Sequence, residues 1–295
     1  MKKRPFLMAL LVLGAIFVFF LVLLAILSHF QGGDKFALGD KVAIIEVEGM
    51  IVSAGKTIER LHAAEDDASV KAVVLRIDSP GGGVGPSQEI HDEVVKLVQT
   101  KPVVVSMGSL CASGGYYIAA PASRIFANPG TITGSIGVIM EFTNIQDLLD
   151  KIGLKNRVVK SGKHKDIGSP VRPMSAEDEA ILQSLIDDVH SQFVEAVAAG
   201  RKLEVATVKP LADGRIFTGR QAQASGLVDE LGNLESAIAA AAEMGGIVGE
   251  PKLIYPLPDE KRFWQDLVGE VASQVRKGLE GGTSSGLQFV WSDAK

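Results

Sequence analysis

A single cysteine, Cys111, in 295 residues excludes an intrachain disulfide framework and any cysteine-built metal cluster. Basic excess is missing too, with 30 lysines and arginines against 35 acidic residues. Three of those cations (Lys2, Lys3, Arg4) stand together at the N-terminus, so the rest of the chain is more acidic still. That balance argues against nucleic acid or anionic lipid headgroups as the main partner. Only five histidines are available as general bases. The run Gly81-Gly82-Gly83 lacks the Lys-Ser/Thr of a P-loop, and no Gly-x-Gly-x-x-Gly surrounds it, which speaks against nucleotide binding.

Charge is absent from residues 5–27, an apolar run of 23 residues behind the three cations. At about 1.5 Å per residue, a helix of this length covers a hydrocarbon core of about 30 Å. A cleaved signal peptide has a shorter apolar core, about 7–15 residues, ending in a small-x-small site. Here Ala25-Ile26-Leu27 puts leucine where a small residue belongs. The expectation is an uncleaved anchor in a bacterial cytoplasmic membrane, N-terminus inside and the bulk of the chain outside. The chain then divides into stub and anchor (1–29), linker (30–40), a main domain (41–250), a strand/helix extension (251–280) and a tail without order (281–295).

Within the main domain, β-branched runs at 42–47, 72–77 and 102–107 recur at thirty-residue spacing. Near-continuous apolar strands separated by helical stretches predict an α/β fold, its parallel sheet covered on both faces. Ile90, Val94, Leu97 and Val98 make one face of a helix opened by Pro86. Further strands are expected at 124–127 and 157–160, with an amphipathic helix near 145–152 between them. Ser175 with Asp178, and Thr218 with Gln221, have capping-box spacing for two later helices.

Ligand sites in parallel sheets lie at the carboxyl ends of strands. One such end runs into Ser79-Pro80-Gly81-Gly82-Gly83-Val84, and the next into Gly108-Ser109-Leu110-Cys111-Ala112-Ser113-Gly114-Gly115. A serine at a helix start, backed by two glycines, fits a nucleophile with backbone N–H donors for an oxyanion. The competing reading of Ser113 is a plain N-cap. Cys111 is a rival nucleophile, but among small apolar residues it reads as a buried structural thiol. For the base, His29 stands at the edge of the linker and His62, His91 and His190 fall in helices, leaving His164 and the lysines around it. A lysine needs tuning, since about four in ten thousand ordinary amines are neutral at pH 7. Lys163 and Lys165 point the same way if the segment is extended, so spacing does not separate them.

Five segments in order resemble the signal peptide peptidase A family in its short bacterial form. They are Ser79-Pro80-Gly81-Gly82-Gly83, the stretch 108–117, Thr133-Gly134-Ser135-Ile136-Gly137-Val138, Ser161-Gly162-Lys163-His164-Lys165-Asp166-Ile167 and the stretch 212–219. The resemblance covers residues 40–245. It implies a membrane-anchored serine endopeptidase with a Ser/Lys dyad on the Clp-protease/crotonase-like fold. By position it implies Ser113 as nucleophile, Lys165 as base, Ser135 as the hydroxyl orienting the amine, and Gly82 and Gly114 as oxyanion donors. Gly81, Gly83 and Val84 would line the substrate edge. It further implies no metal or organic cofactor, apolar peptide substrates such as spent signal peptides, and a homo-oligomeric ring. Two rivals are an inactive scaffold and a crotonase-type acyl-CoA enzyme; export would deny the latter its CoA.

Overall fold

Strand β1 (Lys41–Glu48) shows why these strands are apolar at nearly every position. Ala43, Ile45 and Val47 face one core, and Val42 and Ile44 face a second one on the other side of the sheet. The same division holds in β2 (Val70–Ser79), where Val73, Leu75 and Ile77 oppose Ala72 and Val74. Alternation puts successive side chains on opposite faces, so a sheet covered twice needs apolar residues at both parities.

The computed structural model describes residues 14, 16–20, 39–256 and 288–290, the last three by backbone alone. Residues 1–40 and 41–295 form separate units. In the first, residues 16–20 are helical and their side chains exposed. The rest of the expected span at 5–27 lies outside the described residues, and among those described no helix is long and apolar enough to cross a membrane.

In the second unit, β1 is followed by α1 (Gly55–Asp66), β2, a short β3 (Gly81–Gly83), α2 (Val84–Leu97), β4 (Val103–Ala112) and α3 (Gly114–Ala119). Next come β5 (Arg124–Ala127), β6 (Ile132–Gly134), α4 (Gln146–Lys151) and the long α5 (Ala176–Arg201). Then follow α6 (Val205–Val208), a 3₁₀ turn, β7 (Ile216–Thr218), α7 (Gly219–Ala224), β8 (Glu230–Leu231), α8 (Leu234–Met244) and β9 (Lys252–Ile254). The main sheet runs β7-β6-β4-β2-β1-β9, with β5 and β8 continuing from β4. Its pairings are parallel except β6 with β7, so the sheet is mixed rather than purely parallel. Helix α8 covers one face; α1, α2, α3 and α5 contribute to the other.

The expected capping boxes are both present, Ser175 with Asp178 and Thr218 with Gln221. One expectation fails between β6 and α5. Residues 157–160 form no strand, because no neighbouring strand supplies a ladder for their N–H and C=O groups. Helix α4 forms where an amphipathic helix was expected, yet buries no residue, leaving Ile145, Leu148 and Ile152 exposed. In the tail expected to lack order, residues 288–290 form β10 (Gln288–Val290), antiparallel to β3.

Candidate active site

Strand β4 delivers Ser113 through an irregularity built by Asp78. Its register against β2 passes from Ile77↔Met107 directly to Ser79↔Cys111. The Asp78 carboxylate accepts from the N–H of Leu110 at 3.1 Å and of Ser109 at 3.4 Å, holding the extra residues as a bulge. Gly108 is required there, since a Cβ would stand 2.6 Å from Asp78 Cγ.

Beyond the bulge the chain turns sharply into α3. Ser113 sits at the turn with φ 53° and ψ −117°, a conformation that costs a non-glycine residue about 1–3 kcal/mol. It is 1% exposed, and its hydroxyl makes no cap bond and has no hydrogen-bond partner among the described residues. The oxygen of an N-cap serine would accept from a backbone N–H of the helix's first turn, and that of Ser113 accepts none, so the capping reading fails. Gly114 heads α3, where an N–H has no partner within the helix.

The second N–H comes from β3. Ile51 N–H donates to Gly81 O at 2.9 Å and Gly83 N–H to Ile51 O at 2.8 Å. Alternation then turns the N–H and C=O of Gly82 to the opposite edge. There β10 runs, with Phe289 opposite Gly82. Gly82 admits no side chain, because a Cβ would lie 2.1 Å from Ile51 O. Ser79 braces this loop, donating its hydroxyl to Gly49 O at 2.6 Å while accepting from Gly81 N–H at 3.1 Å. Neither brace, Asp78 or Ser79, was identified from sequence, although both flank the glycine motif.

Ser135 is linked to Ser113 through the backbone: Ser113 N–H donates to Gly134 O at 2.8 Å. Ser135 itself has φ 50° and is nearly buried. It borders a cleft of about 370 Å³ lined also by Val138, Ile186, His190 and Gly214. Cys111 is fully buried, and burial pushes its thiol well above the ordinary range, which removes it as a nucleophile.

Lys165 lies in the turns after residue 160 and is exposed. The dyad hydrogen bond is therefore not made within the described chain. The segment nonetheless distinguishes its lysines. Lys160 pairs with Asp166 and Lys163 with Glu177, whereas Lys165 has no carboxylate partner among the described residues. His164 stands between Glu177 at 3.2 Å and Asp178 at 3.3 Å.

The sequence pattern of peptidase family S49 matches residues 96–247, and that of Clp protease residues 40–132. The chain belongs to peptidase family S49. A putative protease of Synechocystis sp. is 46% identical over 230 residues, 78% of this chain and 83% of its own length. A putative signal peptide peptidase of Enterococcus faecium is 38% identical, over 70% of this chain and 64% of its own. Protease 4 of Salmonella typhi is also 38% identical; the match spans 70% of this chain but 35% of that longer protein. Among solved structures, a serine-to-alanine mutant of the 1510-N membrane-bound stomatin-specific protease superposes with TM-score 0.50. At 16% identity, covering 75% of this chain and 99% of that one, it shows the fold alone. This S49 chain is a serine-type endopeptidase on a Clp-protease-like α/β domain.

Proposed function

We propose that the chain is a membrane-anchored endopeptidase that degrades apolar peptides, such as signal peptides left in the membrane after export, with Ser113 and Lys165 as its dyad. The observation that carries the reading is Ser113 itself: strained, buried, without a hydroxyl partner among the described residues, and at the head of the helix α3 that packs against β3. Neutral Lys165 Nζ takes the proton from Ser113 Oγ as the oxygen bonds to the scissile carbonyl carbon. The N–H groups of Gly82 and Gly114 hold the oxyanion. The ammonium then gives its proton to the leaving nitrogen, the C–N bond breaks, and an acyl-enzyme remains. Lys165 next takes a proton from water as its oxygen bonds to the ester carbon; the C–Oγ bond then breaks, the ammonium returns the proton to Ser113 Oγ, and the carboxyl product leaves. Ser135 orients the amine. The scheme needs neither metal nor organic cofactor.

Substrate binds as an added strand on Gly81–Gly83 and the start of α2 at Val84. Support comes from β10, the chain's own strand on that edge. Its register sets Phe289 opposite Gly82, the residue against which the scissile residue of a substrate strand would pair.

The site is completed in a ring of identical subunits. Phe142, Ile145, Leu148, Ile152, Leu154 and Val159 form an uncovered apolar arm leading to Lys165, which favours a second copy of the chain as its cover. Burial there would also dry the amine and favour its neutral form. Residues 5–27 anchor each subunit in the bacterial cytoplasmic membrane, with the catalytic domain on the outer side.

A serine-reactive phosphonate on the detergent-solubilised chain tests the dyad. An adduct on Ser113 that disappears in Ser113→Ala and Lys165→Ala is expected. Full peptide turnover by Lys165→Ala would overturn the assignment.

A further inference from the structure

The residue after Lys165 is Asp166, a carboxylate adjoining the proposed base in sequence. An uncompensated carboxylate within about 4–6 Å of an amine favours the ammonium, which cannot accept a proton. The structure shows what compensates it. Arg172 Nε donates to Asp166 Oδ2 at 3.0 Å, and Nη2 donates to Asp166 Oδ1 at 3.0 Å and to its carbonyl at 3.1 Å. Nη1 donates to Asp178 Oδ2 at 2.7 Å and to Pro173 O at 2.9 Å. All five guanidinium N–H groups are engaged, which lysine with three donors cannot reproduce.

Asp178 is also the third residue of α5 and half of its capping box. Helix α5 reaches the nucleophile's own helix, where Phe193 packs edge-on against Tyr117 with ring centroids 4.9 Å apart. A continuous chain of contacts thus runs from the residue beside Lys165, through Arg172 and α5, to the helix headed by Ser113. The loop itself is three successive turns: Lys165 N–H to Gly162 O, Ile167 N–H to His164 O, and Ser169 N–H to Asp166 O. The last shares the Asp166 carbonyl with Arg172.

We propose that Arg172 is a positioning residue for the Lys165 base: it clamps Asp166 to Asp178, fixing the loop that presents the amine and keeping the adjacent carboxylate from pairing with it. The inference rests on the reading of Lys165 as base, and holds whichever subunit's Ser113 the amine serves. The other charged groups in the cluster are accounted for. Lys160 also contacts Asp166, His164 contacts Asp178 and Glu177, and Lys163 contacts Glu177. Hydrogen bonds from Arg172 first, then Lys160, hold the Asp166 carboxyl well below the usual range; Arg172 leads likewise at Asp178.

The test is the pH profile of kcat/KM for an apolar fluorogenic peptide, measured on full-length, detergent-solubilised protein whose folding is checked by circular dichroism. Arg172→Met is expected to lower kcat about tenfold to a hundredfold with KM little changed. Its alkaline rise in activity should move up by about 1 pH unit. Adding Asp166→Asn to Arg172→Met should return that rise to its original position. Should Arg172→Met not fold, Arg172→Lys carries the test, with the rise in place but kcat still depressed. An Arg172→Met profile that coincides with the parent's, a shift that survives Asp166→Asn, or a parent-like kcat in Arg172→Lys overturns the proposal. Lys165→Ala distinguishes the two levels. Inactive Lys165→Ala with an unmoved Arg172→Met profile defeats only the clamp, whereas active Lys165→Ala defeats the base assignment and the clamp together.

Discussion

The backbone N–H of Ser113 donates to the carbonyl of Gly134 at 2.8 Å, joining two turns whose serines both carry a positive φ, 53° at Ser113 and 50° at Ser135. The bond ties the end of β4 to the end of β6. The positions of the two serines, the proposed nucleophile and its supporting hydroxyl, are thereby set by main chain. Replacing Ser113 by alanine keeps that bond and removes a buried hydroxyl without a partner. Ser113→Ala should lose about 10⁴-fold or more in kcat. It should also gain about 1 kcal/mol in urea denaturation. A loss of stability would mean that the hydroxyl has a stabilising partner after all.

Gly82 offers an opposite case, where one methyl group is enough. Its Cβ would meet Ile51 O at 2.1 Å, against backbone that cannot swing aside. Gly82→Ala is expected to displace β3, lower kcat about 10²–10³-fold and reduce stability. Retention of parent-like kcat would remove Gly82 from the oxyanion hole.

Because β10 lies on the edge of β3, the proposed substrate strand and the tail would compete for one ladder. A chain ending at residue 285 should show a KM for a soluble apolar peptide at least about twofold lower, with kcat unchanged. An unchanged KM would place substrate elsewhere.

The acid limb of stability follows from Asp166 and Asp178, both held below the ordinary carboxylate range by Arg172 first of all. A depressed folded-state value stabilises above the unfolded value, near pH 4, and the contribution is lost as acid protonates the folded carboxylates. The thermal midpoint should fall on acidification below about pH 4, and fall less in Asp166→Asn. An equal fall in both proteins would assign the acid limb to other groups.

Cys111 supplies a negative control for the chemistry. Its thiol is buried and hard to ionise, so iodoacetamide at pH 8 should leave the native chain unmodified and alkylate it only in denaturant. Cys111→Ala should turn over peptide normally, at a stability cost of about 1 kcal/mol. Rapid native alkylation coupled to inactivation would reopen the thiol as nucleophile.

Much of this was legible in residue order because it depends on local chemistry. Apolar runs at both parities dictated strands covered on two faces, as Val42 and Ala43 show by facing different cores. The capping boxes at Ser175 and Thr218 started helices by bonds spanning three residues. The elbow at Ser113 was visible through its glycines, which only close backbone approach demands.

Tertiary structure decided what depends on partners far apart in sequence. Asp78 reaches β4 across 32 residues and Arg172 joins a loop to a helix end, contacts that no local pattern encodes. The missing strand at 157–160 and the uncovered face of α4 follow the same rule, since a ladder or an apolar face forms only against a neighbour. Composition and periodicity determined which elements this protein builds. Which of three nearby lysines stands without a carboxylate partner among the described residues was determined only when the chain folded, because ion pairing is a matter of distance in space.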